Sequence, residues 1–210
     1  LEEVIALGVI TTTAKAETSG EDSQALFEPN KPVTRREFAR WLVNANNAIY
    51  QERPAQQIRL ASTIEQPIFQ DLPATDPDFV SIQGLASAGF IPSPLTGATT
   101  TVQFKPDEPL DRQTLVLWKV AIETEQRLPT ASLDLVQNTW GFQDAAQING
   151  PALGAVFVDS QNGDLSNIRR LFGSTTLFQP QKAVTRAEAV SALWFFGSQG
   201  QGISAVDLLR

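Results

Sequence analysis

Three near-identical phrases punctuate this chain: FEPNKPVTR (Phe27 to Arg35), FKPDEPLDR (Phe104 to Arg112) and FQPQKAVTR (Phe178 to Arg186). The three Phe residues are 77 and 74 positions apart, and each Arg follows its Phe by eight. A Gly ends the apolar stretch before each phrase: Gly8 lies 19 residues before Phe27, Gly89 15 before Phe104, and Gly163 15 before Phe178. FQDL at Phe69 and FQDA at Phe142 open the second and third units, 20 and 21 residues ahead of their Gly. Self-similarity at such a period limits the fold more than any other feature. Each unit is one small supersecondary element that cannot bury its apolar face alone, so the units must pack on one another.

Each unit reads as helix, loop, helix. In the second, Phe79, Ile82, Leu85 and Ala86 share one helical face at offsets of three and four, and Gly89 follows as a C-terminal cap. The second helix of each unit starts inside the phrase. Thr34 with Glu37, and Thr185 with Glu188, form capping boxes, whereas Asp111 keeps the N-cap role and Thr114 replaces the reciprocal Glu. Behind these caps run three aligned stripes: Phe38, Trp41, Leu42 and Ala45; Leu115, Trp118, Lys119 and Ile122; Ala189, Ala192, Leu193 and Phe196. The expected organisation is a first unit over residues 1–50, incomplete at its start, and a connector over 51–66. A second unit over 67–126, a connector over 127–140, a third unit over 141–198 and a tail over 199–210 follow. All belong to one mainly α-helical domain.

Composition narrows the chemistry. Among 210 residues there is no Cys and no His, which removes thiol nucleophiles, disulfides, Cys/His zinc sites and His-based triads. A net charge of −7 opposes general nucleic-acid binding, because phosphate neutralisation needs a basic surface. The longest apolar run, Ala152 to Val158, is far too short to span a bilayer. The opening LEEVIALGVI has neither an initiator Met nor a signal-peptide pattern and reads as an excised portion. With no nucleophile motif, phosphate loop or metal signature, the expectation is a protein that is not an enzyme and needs no cofactor.

Phe-x-Asp, a helix ending near Gly, Phe-x-Pro and a [Thr/Asp]-Arg-x-[Glu/Thr] helix start together resemble the S-layer homology repeat, over about Leu1 to Phe196. VTRREFARWLV (Val33 to Val43) and VTRAEAVSALW (Val184 to Trp194) carry the resemblance most strongly. Trp41 and DPDFVSIQGLASAGFI (Asp76 to Ile91) resemble the cyanobacterial and chloroplast branch. The resemblance implies three repeats in a pseudo-threefold bundle, with the second helices central and ligand grooves between units. It implies a non-catalytic anchoring domain for secondary cell-wall polysaccharide linked to peptidoglycan, outside the cytoplasm. It also implies that Arg35, Arg112 and Arg186 contact a ligand carboxylate, with Gly8, Gly89 and Gly163 shaping the grooves. The alternative partner is a membrane protein complex, with the domain a scaffold at a thylakoid or other extracytoplasmic membrane surface.

This sequence departs from the family wording in the acidic first loop (Lys15 to Asp22), the DRQT motif at Asp111 and the third loop from Gly163 to Phe178. Two readings of the Arg triplet therefore stand side by side. An Arg just inside a helix N-terminus can join free backbone amides in binding an anion. It can equally pair with Asp71, Asp144 or a motif Glu and simply join units. Trp41 and Trp118 could stack on sugar rings but fit a core better. Phe27, Phe69, Phe104, Phe142 and Phe178 are expected core plugs. DSQNGD (Asp159 to Asp164) gathers oxygen ligands, but Arg170 stands where a calcium loop needs its final Glu.

Overall fold

The computed structural model describes residues 2–10, 27–97, 102–125, 127–198 and 201–209, so the acidic first loop lies outside the described residues. Its helices are α1 (Glu2–Ala6), α2 (Arg35–Ile49), α3 (Phe79–Ser87), α4 (Arg112–Thr124), α5 (Leu133–Trp140), α6 (Gly150–Ser160), α7 (Asn167–Phe172), α8 (Arg186–Leu193) and α9 (Ala205–Leu208). Two short antiparallel strands, β1 (Phe195–Ser198) and β2 (Gln201–Ser204), pair Phe195 with Ser204 through Ser198 with Gln201. The protein is mainly α-helical.

The three phrases meet at the centre. Val33 N–H donates to Val184 O, Val184 N–H to Leu110 O, and Leu110 N–H to Val33 O, each at 2.9 Å. This closed circuit satisfies the backbone of three side chains that are fully buried. Outward from this circuit the bonds run in the opposite cyclic sense. Arg35 N–H donates to Glu108 O (3.0 Å), Arg112 N–H to Lys182 O (3.1 Å) and Arg186 N–H to Lys31 O (2.9 Å). One residue further, Arg36, Gln113 and Ala187 N–H donate to Pro106, Pro180 and Pro29 O. Each phrase thus docks on both others.

The first residue after each Phe takes the left-handed backbone: Glu28 (φ 51°), Lys105 (φ 59°) and Gln179 (φ 53°). A non-Gly residue there costs about 1–2 kcal/mol, so something must hold it. In two phrases the Asp of Phe-x-Asp does so. Asp71 accepts from Phe104 N–H (2.8 Å) and Lys105 N–H (2.6 Å). Asp144 accepts from Phe178 N–H (2.9 Å) and Gln179 N–H (2.7 Å). The Phe rings follow: Phe69 packs on Phe104 and Phe142 on Phe178, with centroids 5.4 Å apart in both pairs.

The caps agree with local chemistry. Thr34 and Thr185 cap α2 and α8 with Glu37 and Glu188 reaching back, and Asp111 accepts from Thr114 N–H at the head of α4. Gly89 (φ 79°) ends α3 in a Schellman arrangement, with Gly89 N–H on Ala86 O and Phe90 N–H on Leu85 O. Gly8 (φ 68°) does the same for α1 through Ile5 and Val4.

Five sequence expectations need correction. The connector over 127–140 contains the full helix α5, capped by Ser132 and stopped by Gly141 at φ 74°. The third loop is not merely a loop: a 3-10 turn at Gly163–Leu165 leads into α7, whose first amides are held by the buried Asp159 carboxylate. Gly163 (φ 56°) consequently belongs to that turn, while α6 already ends at Ser160. Finally, α8 stops at Leu193, and Phe196 is buried from β1 rather than from a helix. The expected tail instead carries β2 and α9, which packs on α1.

Candidate functional site

The α2, α4 and α8 N-termini do not offer free amides to an anion. The first two N–H groups of each are taken by carbonyls of the neighbouring phrase, and the third-position N–H by its N-cap side chain. The sequence reading of an anion site built on these amides is therefore corrected. What remains at each junction is the Arg side chain.

The three Arg side chains lie in equivalent but unequal places. Arg186 Nε donates to Phe27 O at 2.8 Å, and its guanidinium lies 5.1 Å from the Phe27 ring and 4.9 Å from that of Trp41. Its Nη1 donates to Glu37 Oε1 in a close ion pair. Arg112 Nη1 donates to Phe178 O at 3.1 Å and its Nη2 to Glu188 Oε1 at 3.4 Å. Phe172 of α7 lies 4.0 Å from the Arg112 guanidinium and helps to cover it. Arg35 Nε donates to Phe104 O at 2.8 Å, with the Phe104 and Trp118 rings at 5.0 and 4.9 Å. Among the described residues no carboxylate completes this third junction and Arg35 has no ion pair. The residue aligned with Glu37 and Glu188 is Thr114.

Asp71 and Asp144 are not partners of the Arg side chains; their oxygens hold the phrase backbone instead. Burial lowers the Arg35 pKa from its ordinary value, while Asp111, Glu108 and Asp71 oppose that shift from a distance. Arg35 still carries a cation at any physiological pH, because its ordinary value is so high. It is a half-buried charge held in place by a carbonyl and two aromatic faces.

Arg35 lines a cavity of about 210 Å³ together with Phe104, Gln113, Thr114, Trp118 and Asn149. A larger cavity of about 570 Å³ adjoins it, sharing Ile91, Pro92, Leu117 and Pro151. Thr114, Leu117, Ala121 and Glu125 follow the α4 spacing along the floor of this groove. Eleven residues of helical rise make it about 16 Å long. Gly89 is in its wall; Gly8 and Gly163 line neither cavity.

Trp41 and Trp118 are both buried at 1% exposure, so neither offers a face for ring stacking by a ligand. They support the Arg side chains from beneath. The DSQNGD segment is also accounted for internally. Asp159 accepts from Asn167 N–H, Ile168 N–H and Asn167 Nδ2, and no acidic cluster suited to a metal ion occurs among the described residues. No described helix is long and apolar enough to cross a membrane.

Sequence reasoning missed two contributors. Phe172, in what reads as a loop, covers Arg112. Lys119, aligned with core positions, is wholly buried, with Nζ 2.5 Å from Glu123 Oε1 and 2.8 Å from Phe195 O. The i,i+4 spacing of Lys119 and Glu123 was the available signal. Neither a protein-family model nor a curated protein sequence matches this chain.

Proposed function

We propose that the chain is a non-catalytic anchoring domain of three S-layer-homology-like repeats, forming a pseudo-threefold bundle that holds anionic cell-wall polysaccharide in the Arg35 groove. The backbone circuit through Val33, Leu110 and Val184 supports the arrangement, since it relates the three phrases in one cyclic order. The carrying observation for binding is Arg35. Of the three phrase arginines, it alone has no ion pair among the described residues, and it lines the groove that runs about 16 Å along α4. A guanidinium seated on aromatic rings with its remaining donors unpaired suits a carboxylate-bearing sugar.

The test is co-sedimentation with purified sacculi that retain their attached polysaccharide, alongside a membrane fraction stripped of wall. Wild-type protein is expected to sediment with sacculi, and Arg35→Ala to stay in the supernatant while keeping the wild-type circular dichroism spectrum. Retention on membranes alone would replace this reading with that of a membrane-protein scaffold.

A further inference from the structure

We infer that Glu37 and Glu188 are built-in occupants of two of three equivalent carboxylate sites, and that Thr114 leaves the third open to one external carboxylate. This rests on the reading of the Arg35 groove as a binding site, and adds its stoichiometry and the residue that sets it.

The geometry comes from comparing the three junctions atom by atom. Glu37 serves two partners at once: its Oε1 takes Arg186 Nη1, and its Oε2 takes Thr34 N–H (2.9 Å) and Thr34 Oγ1 (2.9 Å). Glu188 repeats this, with Oε1 on Arg112 Nη2 (3.4 Å) and Oε2 on Thr185 N–H (2.8 Å). A carboxylate there bridges the preceding unit's Arg and the N-cap amide of its own helix. At the Arg35 junction the N-cap amide belongs to Asp111. Among the described residues no acceptor meets that N–H, and the side chain in the bridging position is Thr114, which carries no charge. Two donors that elsewhere share one carboxylate therefore lack one here. Arg35 and Thr114, the side chain in the bridging position, wall one cavity together with Gln113 and Trp118.

Cover at the three junctions points the same way. Phe172 lies over Arg112, which is 7% exposed, so that site is both neutralised and shielded. Arg186 is neutralised by Glu37, whose own carboxyl is held below its usual range. Burial opposes that shift, but the Thr34 amide and hydroxyl and then Arg186 outweigh it. An external carboxylate would have to displace an intramolecular one at high effective concentration at either place, and at Arg35 it displaces none.

The experiment is an NMR titration of ¹⁵N-labelled full chain with methyl glucuronide, a sugar carboxylate, against uncharged methyl glucoside. In the wild type, shifts are expected at the Asp111 amide and Arg35 Nε–H, with none at Arg112 or Arg186 and none from the glucoside. Thr114→Glu supplies the missing carboxylate and should weaken binding by about tenfold or more, the scale of one charge-assisted hydrogen bond. Glu37→Gln keeps the cap's shape, removes its charge, and should add a second set of shifts at Arg186 Nε–H. The inference is overturned if wild type shows no shifts at Arg35, if it responds equally at all three arginines, or if Thr114→Glu binds as wild type does. Saturable methyl glucuronide binding at Arg35 with no sedimentation on sacculi defeats the cell-wall reading and leaves this one standing. Sedimentation that Thr114→Glu does not weaken defeats this one alone.

Discussion

Replacing Asp144 with Ala should be among the most damaging single changes at the molecule's centre. Its carboxylate accepts Phe178 N–H at 2.9 Å and Gln179 N–H at 2.7 Å, and it is itself 9% exposed. A hydrogen bond to a charged group contributes about 1.5–3 kcal/mol, and an orphaned buried donor adds its own desolvation penalty. Phe178 is fully buried, so its N–H finds no water once the carboxylate is gone. Gln179 meanwhile sits at φ 53°, a conformation that costs about 1–2 kcal/mol and is held by this same carboxylate. Because the two bonds share one anion, their losses do not simply add. The expected destabilisation for Asp144→Ala is about 3–5 kcal/mol, or a fall in Tm of roughly 6–20 °C for a domain of this size. Asp144→Asn keeps one neutral acceptor and should cost about 1–2 kcal/mol. Urea denaturation followed by tryptophan fluorescence measures both. A loss below about 1 kcal/mol for the Ala variant, or equal losses for Ala and Asn, would refute the claim that this anion holds the strained turn.

Three further outcomes are expected. Gly154→Ala would put a Cβ 2.1 Å from Pro129 O, and Gly84→Ala one 2.5 Å from Arg59 O; each should lower Tm in differential scanning fluorimetry, since backbone rather than a flexible side chain must yield. Lys119→Met leaves the Glu123 carboxylate buried without its cation and should cost about 3–5 kcal/mol by urea denaturation. Burial pushes the Lys119 ammonium down to about 8, although Glu123 resists the shift. With a folded value below the unfolded one, the unfolded chain binds more protons in the window from about 8 up to the ordinary lysine range. The Lys119 contribution to stability therefore rises with pH there, and NMR of its ¹³Cε in protein grown with ¹³C-labelled lysine should show a midpoint near 8. Glu37 has the same sign at acid pH: its folded pKa is also depressed, so its contribution is present above the unfolded carboxylate value and is lost as pH falls through the folded one. Glu37→Gln should flatten the acid limb of a stability-versus-pH curve measured by urea titration.

The chain's own wording determined what is local. Thr34, Asp111 and Thr185 cap helices because a short oxygen-bearing side chain satisfies an amide two or three residues on, whatever lies elsewhere. Gly8 and Gly89 end helices because the left-handed position is open to Gly without strain. Three matching offsets required units that pack together, and the substitution of Thr114 for Glu was visible on its face. Its meaning was not. Only the tertiary structure sets Thr114 opposite Arg35, 79 positions away, and sets Glu37 opposite Arg186 across 149. The same holds for Phe172 over Arg112, for Lys119 under the C-terminal hairpin, and for the helix amides taken by neighbouring carbonyls. Each is a contact between residues distant in sequence, and helical or capping periodicity carries no information about which distant group arrives. By spacing alone the three arginines are equivalent. The fold made them unequal by bringing a carboxylate to two of them and, among the described residues, none to the third.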